Sequence, residues 1–129
     1  MAGERVLLVD DAAFMRRVLR DILTENGLEV VGEAADGQAA VERYAELQPE
    51  LVMMDITMPG ISGIEAVRQI IAADPAARIV MCSALGQQAL VLESLEAGAR
   101  DFIAKPFHPG KVTETINKVL EQDDSRPTR

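Results

Sequence analysis

The sequence predicts an α/β fold: a doubly wound, five-stranded parallel sheet in the order 2-1-3-4-5, with helices on both faces. Three observations predict it. Short apolar runs alternate five times with segments of helical periodicity, the pattern of successive strand–helix units. Three of those runs, 6–9, 51–54 and 79–82, are continuously apolar, as strands covered on both faces are. The other two carry polar marks: 28–33 holds acidic residues and Gly32, and the short 100–104 begins Arg100-Asp101. These read as sheet edges. The order 2-1-3-4-5, already known among doubly wound folds, places them outermost and sets strand 1 beside strand 3.

Strand 1, Val6 to Val9, runs into Asp10-Asp11. Phe14, Val18, Leu19, Ile22 and Leu23 then recur at helical spacing, and Gly27 stops helix 1. Strand 2 is Leu28 to Glu33. Ala39, Ala40, Val41, Tyr44 and Leu47 define helix 2, which ends before Pro49. Strand 3, Leu51 to Met54, runs into Asp55, and Met58-Pro59-Gly60 makes a loop. Ser62 is placed to cap helix 3, with Ile64, Val67, Ile70 and Ile71 inward, and Asp74-Pro75 breaks it. Strand 4, Arg78 to Cys82, runs into Ser83. Helix 4 covers Gln87 to Ala97 and closes at Gly98. Strand 5, Arg100 to Ala104, runs into Lys105-Pro106, and Val112, Ile116, Val119 and Leu120 define helix 5.

The length of 129 residues suits one domain, read as 1–121, with 122–129 a polar tail expected to be disordered. Cys82 is the single cysteine, which excludes an internal disulfide and fits a reducing compartment. No apolar run approaches the roughly 20 residues of a membrane span. Met1-Ala2-Gly3-Glu4-Arg5 leads straight into a strand, so no signal peptide is expected and the chain reads as cytoplasmic, with no membrane partner. A net charge of −8 and a pI near 4.6 argue against nucleic acid as a partner. The absence of Trp and a single Tyr leave no stacking platform for bases.

The strand ends carry the chemistry. Asp10, Asp11, Asp55, Ser83 and Lys105 all fall at C-terminal ends of strands, the edge where open α/β sheets bind ligands. Clustered carboxylates repel by about 4 kcal/mol per pair at about 4 Å and an effective dielectric near 20. A cation or protons must offset that, and an all-oxygen set suits Mg²⁺. No Cys or His group has zinc spacing. An aspartate can accept a phosphoryl group. Mg²⁺, Lys105 and the Ser83 hydroxyl would then neutralise its oxygens from three sides. Asp55, ending the middle strand, is the favoured acceptor.

These residues, Val9-Asp10-Asp11, Asp55-Ile56-Thr57-Met58-Pro59-Gly60, Ser83-Ala84 and Lys105-Pro106-Phe107, resemble those of response-regulator receiver domains. The resemblance covers essentially the whole folded length and is strongest to the stand-alone chemotaxis branch of that family. It implies a (βα)5 flavodoxin-like receiver fold in which Asp55 is phosphorylated by a histidine kinase of the chemotaxis type. It implies Mg²⁺ held by Asp10, Asp11, Asp55 and the backbone carbonyl of Thr57, phosphoryl contacts from Ser83 and Lys105, and a cis bond before Pro106. It places an aromatic switch at Phe102, where many members carry Tyr, and makes Thr57 and Leu85 positions that tune dephosphorylation. It puts partner binding on helix 4, strand 5 and helix 5, including Val91 and Leu95. The expected partners are the flagellar motor switch protein or another target, and a phosphatase.

Plainer readings stand beside these. Ser83 alone would be a turn residue and Asp11 alone a helix cap. Cys82 reads as a small buried strand residue, His108 as surface, and Met53, Met54, Met58 and Met81 as core. Phe14, Phe102 and Phe107 lie near the acidic or lysine strand ends and read mainly as core, with Phe102 the moving part. A phosphorelay or developmental single-domain regulator is the alternative within the class. A Mg²⁺-dependent phosphatase with an aspartyl nucleophile is a remote one, because Thr57 stands where its acid/base Asp would be. A flavodoxin-like electron carrier shares the fold class, but the acidic cluster suits a cation far better than a flavin phosphate.

Overall fold

The structure is a computed structural model and describes residues 3–122. Ten elements follow one another: β1 (Arg5–Val9), α1 (Ala13–Glu25), β2 (Glu29–Ala34), α2 (Gly37–Leu47), β3 (Leu51–Asp55), α3 (Gly63–Ala73), β4 (Ile79–Ser83), α4 (Gln88–Ala97), β5 (Asp101–Ala104) and α5 (Pro109–Leu120). The five strands of the described residues form one parallel sheet in the order β2-β1-β3-β4-β5, as expected. Boundaries differ from the sequence reading by a residue at most of the strand ends. The one that matters is β4, which runs one residue further and includes Ser83.

Residue alternation splits the core into two layers. Leu7, Val9, Val52, Met54, Ile79 and Met81 face one side, where α2, α3 and α4 supply Ala40, Tyr44, Val67, Ile70 and Val91. Val6, Leu8, Met53, Val80, Cys82 and Ile103 face the other, where α1 and α5 supply Leu19, Leu23, Val112 and Ile116. β1, β3 and β4 are therefore apolar along their length because both of their faces are covered. Met53, Met54, Met58 and Met81 are all buried, as read.

Two helix starts are fixed by side-chain caps. Ser62 caps α3, its Oγ accepting from Glu65 N at 3.1 Å. Asp36 caps α2, accepting from Ala39 N at 2.7 Å, a cap that the apolar spacing of 39–47 did not reveal. Gly98 ends α4 at φ 126°, a conformation that favours glycine.

One expectation is corrected. Phe14 is not core: it is 72% exposed, and the first fully buried residue of α1 is Leu19. Gln122, the first residue of the expected disordered tail, is placed, accepting from Arg78 through its carbonyl at 2.8 Å and from Arg100 through its side chain at 3.1 Å. The rest of that expectation falls on 123–129, outside the described residues. No helix among the described residues is long and apolar enough to cross a membrane.

Candidate functional site

The site lies where β1, β3, β4 and β5 end. Asp10 continues β1 by one residue: its N–H donates at 3.1 Å to the carbonyl of Ala34, the last paired residue of β2. Its Oδ1 accepts from Ala12 N at 2.9 Å, which turns the chain toward α1, and its carbonyl accepts from Arg16 Nη1 at 2.6 Å. Arg16 is in turn held by Glu33 of β2. Asp10 is thus buried and fully engaged, whereas Asp11, next in the chain, is exposed and makes no cap.

Asp55 is the last residue of β3 and sits in register with Cys82 of β4. The chain doubles back tightly behind it. Gly63 N donates to Ile56 O at 2.8 Å, and a Cβ on Gly63 would collide with the Asp55 carbonyl oxygen. Glycine is therefore required there to bring α3 against the end of β3. Ser83 follows Cys82, is buried, and aims its hydroxyl at Ile103 O, 3.5 Å away. Lys105 N donates to Ser83 O at 2.8 Å, which extends the β4–β5 pairing, and the Lys105–Pro106 peptide bond is cis.

Lys105 closes the arrangement. Its Nζ lies 3.0 Å from Asp10 Oδ2 and 3.2 Å from Asp55 Oδ1. Carboxylate oxygens of Asp10, Asp11 and Asp55 all lie within 4.8 Å of one another. Burial, then the charge of Asp10, raise the Asp55 pKa above the ordinary carboxylate value, against the opposing pull of Lys105. Burial would lower the Lys105 pKa, but the hydrogen bond to Asp10 and the charges of Asp55 and Asp10 outweigh it and raise it. The pocket therefore holds clustered negative charge that a lysine only partly offsets. Three carboxylates of this spacing, with hard oxygen donors and one side open to water, fit a small divalent cation. Cys82, just inside, is buried, and burial pushes its thiol pKa far up, so it supplies no thiolate. His108 is exposed at the start of α5 and caps nothing.

Thr57 is exposed on the β3–α3 loop, and its Oγ1 accepts from Gln87 Nε2 at 3.0 Å. The same Gln87 accepts from Ala84 N through Oε1 at 2.7 Å. Sequence reading missed Gln87, since a glutamine before a helix carries no signal of its own.

Behind Ser83, α4 and β5 leave an apolar cavity of about 410 Å³, lined among others by Ser83, Val91, Leu92, Leu95, Phe102 and Lys105. Phe102 stands at its rim, 43% exposed. Val91 was expected to face a partner, and this is corrected: it is 6% exposed and forms the cavity wall, because α4 turns Leu92 rather than Val91 to solvent. Leu95 is half-buried, against the core. Leu85, on the loop between β4 and α4, is 95% exposed.

Comparison with known proteins agrees with this fold. The family model described as response regulator receiver domain matches residues 6–117. The chain is 59% identical over 117 residues to chemotaxis protein CheY of Thermotoga maritima, covering 91% of this chain and 98% of that protein. It is 57% identical over 118 residues to chemotaxis protein CheY of Bacillus subtilis, covering 92% and 98%. Among solved structures, it superposes on one from the CheX-CheY-BeF3-Mg²⁺ complex of Borrelia burgdorferi with a TM-score of 0.89 at 37% identity, covering 94% of this chain and 92% of that one. The response regulator domain of Thermotoga maritima CheB gives a TM-score of 0.86 at 41% identity, covering 94% and 98%.

Proposed function

The chain belongs to the response regulator receiver family, and from that premise we propose that it is a phosphorylation-activated chemotaxis switch whose acceptor is Asp55. The observation that carries this reading is the convergence of Asp10, Asp11 and Lys105 on the carboxylate that ends the central strand.

A carboxylate oxygen of Asp55 attacks the phosphorus of a phosphohistidine on the kinase. The new P–O bond forms as the P–N bond breaks, and the electron pair returns to the histidine nitrogen. Mg²⁺, held by Asp10, Asp11, Asp55 and the Thr57 carbonyl, would supply positive charge for the transferring oxygens. Lys105, already beside Asp55 Oδ1, moves its ammonium to a phosphoryl oxygen. The Ser83 hydroxyl, weakly placed at 3.5 Å from Ile103 O, turns to another. Phe102 then leaves the rim for the cavity behind Ser83, whose apolar wall needs no hydroxyl on the ring.

The only chemistry required of the chain is its own phosphorylation and dephosphorylation. The signal leaves through α4, β5 and α5, with the flagellar motor switch protein as the target, and a chemotaxis histidine kinase supplies the phosphoryl group in the cytoplasm. The similarity to a CheY solved together with CheX supports a further protein partner, and a phosphatase that ends the signal would fill that place. Incubation with acetyl phosphate and Mg²⁺ should add one phosphoryl group, read by intact mass. Asp55→Asn should take up none while keeping its circular dichroism. Equal labelling of Asp55→Asn would refute the assignment.

A further inference from the structure

Gln87 joins the two loops that border the acceptor. Thr57 follows Asp55 by two residues and Ala84 directly follows Ser83. The Ala84 N–H donates to Gln87 Oε1 at 2.7 Å, and Gln87 Nε2 donates to Thr57 Oγ1 at 3.0 Å. A backbone N–H only donates, so the side-chain oxygen of Gln87 has to face Ala84, which leaves its NH₂ for Thr57.

Two further features bear on this link. Gln87 occupies the N-cap position of α4, yet its side chain makes no cap hydrogen bond and is spent on the loops instead. The first turn of α4 is therefore without the side-chain cap that Asp36 and Ser62 give α2 and α3. In addition, the Ala84 N–H is the first main-chain donor past β4, at the edge where Ser83 and Asp55 end their strands. A phosphoryl group on Asp55 would draw such a donor, but in this form it is engaged by Gln87.

We propose that Gln87 is a positioning residue of the switch: a latch that ties Ala84 to Thr57 in the resting form and releases the Ala84 N–H when Asp55 carries a phosphoryl group. This rests on Asp55 as the acceptor. The latch stabilises the resting form alone, so removing it shifts the population toward the active arrangement.

The test is a titration of the full chain with beryllofluoride in saturating Mg²⁺, followed by ¹H–¹⁵N spectra. Gln87→Ala should bind beryllofluoride about fivefold more tightly than wild type, the size of roughly one net hydrogen bond. Its Ala84 amide should exchange faster than wild type without beryllofluoride and equally with it, and its Mg²⁺ affinity should stay within about twofold. A folded Gln87→Ala with unchanged or weaker beryllofluoride affinity would overturn the latch alone. Wild type that fails to bind beryllofluoride, or Asp55→Asn that binds it as well as wild type, would overturn the acceptor assignment and the latch with it.

Discussion

Lys105 takes oxygens that the proposed Mg²⁺ would also use. The ammonium bridges Asp10 and Asp55 at 3.0 and 3.2 Å, while Asp11 is exposed beside them. Removing the lysine takes positive charge away from the carboxylates and frees two of them, so Mg²⁺ affinity of Lys105→Ala should equal or exceed that of wild type. Removing Asp11 deletes a ligand, and Asp11→Ala should weaken Mg²⁺ at least about tenfold, as loss of one charged ligand from a small carboxylate set does. Calorimetric titration separates the two, and full affinity in Asp11→Ala would contradict the acidic trio as the cation site. The five charged and hydroxyl residues at the strand ends were legible in the sequence because apolar runs fix where a strand stops. Gln87 and Gly63 were not. The part of Gln87 comes from two loops distant in sequence, and that of Gly63 from the close approach of α3 to the carbonyl of Asp55.

At the scale of elements, the sequence located helices better than it aimed their faces. Val91 and Leu95, a turn apart, were read as a docking pair, yet Val91 packs under α4 against the cavity, and Leu92 points to solvent. On α4 both faces carry apolar residues, so periodicity cannot tell inside from outside. Phe14 differs again: it shares spacing with Val18 and Ile22, but it lies in the first turn of α1, and the buried residues of that helix are Leu19, Ile22 and Leu23. The partner surface of α4 should therefore be built on Leu92, with Phe102 of β5 turned in from the rim when the partner binds. Val91→Asp buries an unpaired charge and should lose about 3 kcal/mol of stability in urea unfolding, whereas Leu92→Asp should stay within about 0.5 kcal/mol. Equal stability of the two variants would contradict the aim of α4 described here.

The whole molecule is a sheet covered on both faces, with Asp10, Asp11, Asp55 and Lys105 clustered at one edge. The core layers leave little freedom in β1, β3 and β4, so the cost of crowding carboxylates is borne by the stability of the fold. The raised pKa of Asp55 gives the sign. A folded-state pKa above the unfolded value means that the protonated form is favoured by folding. That contribution is complete below the unfolded pKa and is lost as pH rises through the folded one. At neutral pH and without Mg²⁺, Asp55→Asn should therefore melt a few degrees above wild type. The gap should close as pH falls through the raised Asp55 pKa, and a gap that widens there would contradict the burial argument.

Coupling of that edge to the α4–β5 face is read out by a structure of the chain with Mg²⁺ and beryllofluoride. Beryllofluoride should sit on Asp55, with Lys105 Nζ and Ser83 Oγ turned onto its fluorines and Phe102 moved from its 43% exposed rim position into the cavity lined by Val91, Leu92 and Leu95. Beryllofluoride on another carboxylate, or on Asp55 with Ser83 and Phe102 unmoved, would contradict it.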